Sequence, residues 1–415
     1  MQIDHGRQNN GACDPSDSDA SDRHAEAQGW QQRLETLLGT PTTHADEVRV
    51  LRNGREIFPA MLGAIESAQH TVDMVTFVYW RGAIAHRFAD ALSAAARRGC
   101  RVRVLLDAVG AREMDRALVD GMTAAGCDVR WFRPVGDSIP EIGDLDHRTH
   151  RKILVCDTDV AFTGGVGIAD EWDGDARDAT EWRDTHLLIR GRAVAGLLAG
   201  FIDNWTDQDD DGFDPSSERV VEAVSGSSTT VGSSTCSVIR GAAGPGSSEL
   251  RRLVLALITC AERRVRIATA YFNPDDRLCA ALTEAAERGV DVSILLPGEH
   301  ADKRFVQLAG ESVYAGLLES GVDIRTYDIS MMHAKVITVD GVIATVGSAN
   351  LNRRSMQFDE ETNVVIFDPD VVGVLDRHLD DDHRNSTVID PAAWAERGML
   401  QRAGETVTNV VSRWL

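Results

Sequence analysis

Residues 332–340, Met332-His333-Ala334-Lys335-Val336-Ile337-Thr338-Val339-Asp340, run on to Gly347-Ser348-Ala349-Asn350 and read H-x-K-x4-D-x6-G-S-x-N. Most of this pattern stands earlier in the chain, as His150-Arg151-Lys152, Asp157 and Gly164-Gly165. His333, Lys335, Asp340 and Gly347 each lie 183 residues after their counterparts. A single H-x-K carries no information. Two copies, each with an aspartate and a small-residue turn at the same distances, mark an internal duplication. A period this long points to two whole lobes rather than a solenoid.

The flanking sequence has the same order around each copy. Residues 71–80 (TVDMVTFVYW) and 101–107 (RVRVLLD) are β-branched, apolar runs that predict strands. Helical spacing covers 57–68, 83–98 and 112–125, with Gly99 and Gly126 as stops. Residues 128–132 predict a further short strand. The second half repeats this with helices over 250–261, 277–288 and 313–320 and strands over 265–272, 290–296 and 322–327. Alternating β and α implies βαβ units. The expected fold is α/β: two similar lobes with mixed, mostly parallel sheets flanked by helices, related by a pseudo-twofold axis, with the active site between them.

The expected boundaries are 46–205 for the first lobe and 236–390 for the second. A Ser-, Thr- and Gly-rich linker joins them over 206–235. Residues 1–45 are polar and expected to be disordered, save for a short helix around 30–38. A C-terminal helix over 391–415 is expected to pack on the second lobe.

The chain has 415 residues, 43% of them hydrophobic, and a net charge of −22. That charge argues against nucleic acid and against broad adhesion to anionic lipid. Its seven cysteines, without C-x-x-C, suit reduced thiols. No apolar run is long enough to span a bilayer and no secretory signal is visible, so a cytoplasmic protein, peripheral to the membrane, is expected.

His and Lys two apart on a strand share a face, so His150 and Lys152 project together, as do His333 and Lys335. Asp157 and Asp340 fall on the opposite face, which suits support of the fold, with a Thr or Arg as partner. Imidazole can attack phosphorus, and a second imidazole can protonate the leaving oxygen. Two lysines supply fixed positive charge to the phosphoryl oxygens. Gly165 and Ser348 let backbone and short side chains approach those oxygens, and Asn350 can donate its amide. Asp184 and Glu361, each followed by Thr and an apolar run, are candidates to fix the histidine tautomers. No cofactor or metal is needed; His147-x-x-His150 completes no zinc spacing.

These motifs resemble the phospholipase D superfamily, and the runs TFVYWRG, RTHRKILVCD, WRDTHLLIRG, MMHAKVITVD and VGSANLNRRS resemble its bacterial cardiolipin synthase-like branch. The resemblance covers roughly residues 48–390. It implies phosphatidyl transfer or phosphodiester cleavage through a phosphohistidine. His150 and His333 would be nucleophile and general acid/base, with the first leaning to nucleophile. Lys152, Lys335 and Asn350 would bind phosphoryl oxygens, and Asp157 and Asp340 complete the catalytic motif. Gly167 stands where Asn350 has its counterpart, so the site is expected to be asymmetric. The substrate expected is a phospholipid such as phosphatidylglycerol, reached by peripheral membrane contact. Hydrolysis by a phospholipase D or nuclease is the alternative, with Arg148, Arg151, Arg353 and Arg354 as a basic patch and Trp80, Trp172 and Trp182 favouring lipid. A non-catalytic binding protein on this fold is the third reading, against which both intact His-Lys pairs argue.

Overall fold

The computed structural model describes residues 15–134, 147–207, 234–241 and 249–396. Its strands in chain order are β1 (Thr43–Ala45), β2 (Glu47–Arg52), β3 (Thr71–Thr76), β4 (Arg101–Asp107), β5 (Asp128–Phe132), β6 (Ile153–Cys156), β7 (Val160–Gly164) and β8 (Thr185–Arg190). They continue as β9 (Ser234–Gly241), β10 (Arg264–Ala268), β11 (Phe272–Asn273), β12 (Asp291–Pro297), β13 (Asp323–Tyr327), β14 (Val336–Val339), β15 (Ile343–Gly347), β16 (Leu351–Asn352), β17 (Glu361–Ile366) and β18 (Ser386–Val388). One sheet runs β2-β8-β7-β6-β3-β4-β5 and the other β1-β9-β17-β15-β14-β10-β12-β13-β18. Without its edge strands β1 and β18, the second repeats the first strand for strand. This is the duplication seen in the motifs.

The sheets are mixed, but not mostly parallel as expected. Within these two sheets, parallel pairing is confined to β3-β4-β5 and β10-β12-β13, where helices Ala83–Arg97 and Asp276–Glu287 make crossovers. The motif strands fold straight back: β6 pairs antiparallel with β7, and β14 with β15. The turns responsible hold left-handed backbone at Asp157 and Thr158 (φ 54° and 57°) and at Asp340 and Gly341 (54° and 73°). Such turns match the twist of an antiparallel hairpin.

The sheets pack face to face over a shared core that includes Val75, Ile153, Val155 and Leu187 from one and Ala268, Val336, Val346 and Val364 from the other. On the outer faces, helices Asn53–Ser67 and Ala83–Arg97 cover the first sheet, and Glu249–Thr259 and Asp276–Glu287 the second. The resulting order is helix, sheet, sheet, helix.

The N-terminal segment departs from the expected disorder. Pro15–Leu38 is a helix, and β1 pairs with β9 of the second sheet. Ala27, Trp30 and Leu34, three and four residues apart, put one apolar stripe into the second lobe's outer core. That stripe stabilises an otherwise polar helix. At the other end, Pro391–Ala395 is helical, and Trp394 stacks on Tyr314 at 5.3 Å. The rest of the expected C-terminal helix, and residues 208–233 of the expected linker, lie outside the described residues. Among the described residues no helix is long and apolar enough to cross a membrane.

Candidate active site

Each motif histidine sits at the start of its hairpin, where the two lobes meet. His150 Nδ1 lies 2.9 and 3.0 Å from the two Glu361 carboxylate oxygens. His333 Nδ1 lies 2.7 Å from Asp184 Oδ2. The pairing is crossed: each lobe supplies the carboxylate for the other lobe's histidine. The backbone repeats the exchange. The His150 amide donates to Glu360 O at 2.9 Å, and the His333 amide to Arg183 O at 2.8 Å. Thr149 bridges Glu360, and Met332 bridges Arg183. Neither lobe holds a complete half-site.

Lys152 and Lys335 project beside the imidazoles, and each ammonium donates to the carbonyl of its own motif histidine. The Lys335 ammonium also lies 3.0 Å from His333 Nδ1. Burial pushes the His150 ring down to about 4, with Glu361 opposing. Burial and the Lys335 charge push His333 to about 3, against Asp184. Although burial alone raises a carboxylate, His150, Lys152 and the Ser348 hydroxyl bring Glu361 down to about 2. His333 and Lys335 likewise hold Asp184 below its ordinary value against burial. Burial lowers Lys152 to about 7 and Lys335 to about 8. Near neutral pH both imidazoles are therefore neutral. A carboxylate at Nδ1 requires the proton there, which leaves each Nε2 with a lone pair.

Asp157 and Asp340 are not brought to this cluster. Asp157 accepts from the backbone amides of Gln69, His70 and Thr71, and Asp340 from those of Glu262, Arg263 and Arg264. Each carboxylate anchors the start of the strand beside its hairpin. This matches the opposite-face placement, but backbone amides replace the Thr or Arg partner expected.

Gly165 and Ser348 also differ from expectation. Their amides donate to Thr185 O and Thr362 O, so neither is available to a phosphoryl oxygen. A Cβ at Gly165 would meet Asp184 Oδ1 at 2.2 Å, so the glycine makes room for that carboxylate. Ser348 accepts from the Thr362 amide at 3.0 Å and supports Glu361. Asn350 is buried, and its Oδ1 has no hydrogen bond among the described residues. Half a turn about its last bond exchanges amide oxygen for NH2, so this unpartnered end can serve either as acceptor or as donor. In the first lobe a Cβ on Gly167 would lie 2.6 Å from Val78 Cβ and 3.2 Å from the Trp172 ring. Val78 and Trp172 leave no room for an asparagine there.

Trp172 has a role that the motif does not announce. Its Nε1 donates to Asp184 Oδ2 at 2.8 Å, and its ring meets His333 edge-on at 5.0 Å. Trp182 lies 5.4 Å from His333. Both tryptophans are buried, so neither presents its ring to solvent. Three of the four arginines of the suspected basic patch are paired, Arg148 with Asp107, Arg151 with Glu360 and Asp203, and Arg354 with Asp359, while Arg353 is exposed. Arg183, next to Asp184, binds the buried Asp382 through Nε and Nη2 and fixes the strand that carries the carboxylate.

A family described as "Cardiolipin synthase, PLD-like domain" matches residues 61–172 and 254–383, which contain both motif histidines and both lysines. A cardiolipin synthase of Geobacillus kaustophilus (strain HTA426) is 34% identical over 92% of this chain and 75% of its own length. Cardiolipin synthase 1 of Bacillus anthracis is 31% identical over 90% of this chain and 74% of its own length. Among solved structures, the phosphatidylserine synthase of Haemophilus influenzae Rd KW20 superposes with a TM-score of 0.70. It covers 93% of this chain and 97% of that one at 15% identity, a likeness of fold. The fold and paired site are those of a phospholipase D-like enzyme. The chain belongs to the phospholipase D superfamily and, within it, to the cardiolipin synthase family.

Proposed function

We propose that this chain passes a phosphatidyl group between alcohols, with phosphatidylglycerol as donor and acceptor, through a phosphohistidine. The crossed pair carries this reading: two neutral imidazoles, each fixed by a carboxylate at Nδ1, beside two lysines. His150, the more exposed ring at 12% against 7%, is the nucleophile. Its Nε2 attacks phosphorus while the bond to the leaving glycerol breaks. The leaving oxygen takes a proton from His333.

The cluster takes that proton from solvent when the substrate binds. Two carboxylates, two ammoniums and two neutral imidazoles sum to zero, so a bound phosphodiester anion favours one more proton in the cluster. His333 then carries it until departure. In the second half-reaction His333 Nε2 accepts the proton of the acceptor hydroxyl, the new P–O bond forms and the P–N bond breaks. Lys152, Lys335 and Asn350 bind the non-bridging oxygens. Asp184 and Glu361 fix the tautomers, while Asp157 and Asp340 act through the fold. No metal or other cofactor enters this scheme. The lipid substrate places the reaction at the cytoplasmic membrane surface, where we propose peripheral contact.

The test incubates phosphatidylglycerol vesicles with the protein and follows the lipids by mass spectrometry. Cardiolipin and glycerol are the expected products, both absent with His150→Ala. Phosphatidic acid alone would assign hydrolysis to the same residues. Unchanged lipid in both samples would overturn the reading.

A further inference from the structure

The two lobes carry different side chains just after β3 and β10. Thr269 Oγ1 donates to Tyr271 O in the second lobe as Thr76 Oγ1 does to Val78 O in the first, so Tyr271 stands where the first lobe has valine. Tyr271 and Asn350 immediately precede the paired residues Phe272 and Leu351 of β11 and β16, which sets them side by side. Tyr271 is half-buried, and although it belongs to the second lobe it packs on the first lobe's core, as does Ala301. Its hydroxyl donates to Asp302 Oδ2 at 2.7 Å. Asp302 is exposed, and its Oδ1 makes no hydrogen bond among the described residues. Its charge supports the ammonium form of Lys335. In the first lobe, Asp107 at the end of β4 turns inward to Arg148, and Trp80 closes on Gly110 O at 3.0 Å.

We infer that Asp302 and Tyr271 form the subsite for the alcohol, holding a second hydroxyl of a vicinal diol such as the glycerol headgroup. The inference rests on the phosphohistidine reading with His150 as nucleophile. In-line displacement puts the entering and leaving alcohols opposite the nucleophile, on the His333 side. The Tyr271–Asp302 pair belongs to the lobe that carries His333, and the Asp302 charge acts on Lys335. Asp302 Oδ1 accepts from the neighbouring hydroxyl while the reacting hydroxyl faces His333. Water and monohydric alcohols lack that second donor.

The test gives the full chain phosphatidylglycerol vesicles with equimolar deuterated glycerol and 1-propanol. Mass spectrometry then counts labelled phosphatidylglycerol against phosphatidylpropanol. Wild type is expected to favour glycerol at least tenfold. Tyr271→Phe and Asp302→Ala are each expected to lower that preference about tenfold. The ratio is read within one mixture and is independent of how much variant folds. No preference in wild type, an unchanged ratio in both variants, or loss of both products together overturns the subsite and leaves the phosphohistidine standing. No incorporation of either alcohol, with wild type and His150→Ala alike, overturns both.

Discussion

The half-site at His150 and the half-site at His333 reach the same geometry with different neighbours. His150 leans on Glu361, with Ser348 behind the carboxylate and the edge of Phe77 at 5.0 Å. His333 leans on the shorter Asp184, with Gly165 making the space and Trp172 supplying the second donor. The backbone bridges are the same in both. What the duplication holds fixed is therefore a carboxylate at Nδ1 and a lysine alongside. The means of holding that carboxylate has diverged.

The comparison breaks first at the histidines. His150→Ala and His333→Ala are each expected to lower kcat by about 10⁴-fold or more. They should differ in one respect: alkaline-quenched His333→Ala retains a phosphohistidine by mass spectrometry and His150→Ala does not. Equal labelling would exchange their roles or remove them. Next come the carboxylates. Glu361→Gln and Asp184→Asn are each expected to cost about 10²- to 10⁴-fold in kcat with little change in KM. A large loss from only one would show that a single tautomer matters.

Gly167→Asn, which imposes the second lobe's residue on the first, is expected to destabilise by about 2 kcal/mol in denaturant unfolding, because Val78 and Trp172 occupy the space. The pH profile sharpens the pair further. A protonated imidazole has no lone pair, so kcat/KM should rise with pH through about 4, the His150 value. A deprotonated lysine cannot neutralise phosphate, so it should fall above about 7 to 8. Flat activity through pH 9 would remove the lysines from that role. Least of all, Thr158→Gly should stabilise by about 0.5 kcal/mol, since Thr158 holds φ 57° where its counterpart is Gly341. A thermal melt reads it.

Much of this was legible in the sequence. The paired motifs, the 128–132 strand and the two carboxylates before apolar runs all stand in the primary structure. Strand parity placed Asp157 and Asp340 away from the chemistry. The crossing was not legible, because nothing local in Asp184 or Glu361 says which lobe it will face. Nor was the antiparallel character of the motif side, although Asp340-Gly341 is a hairpin signal in its own right. The N-terminal helix was legible only around 30–38, because Ala27, Trp30 and Leu34 are few among polar neighbours. Trp172 carries no motif; only its indole N–H on Asp184 reveals it.

The reciprocal bridges Thr149–Glu360 and Met332–Arg183 also bear on access. A cleft between two domains commonly opens by rotation about a hinge. Here any such rotation breaks both Nδ1 contacts together and tears the core shared by the two sheets. The lobes therefore act as a fixed frame. Both half-sites stand assembled without any movement of one lobe against the other.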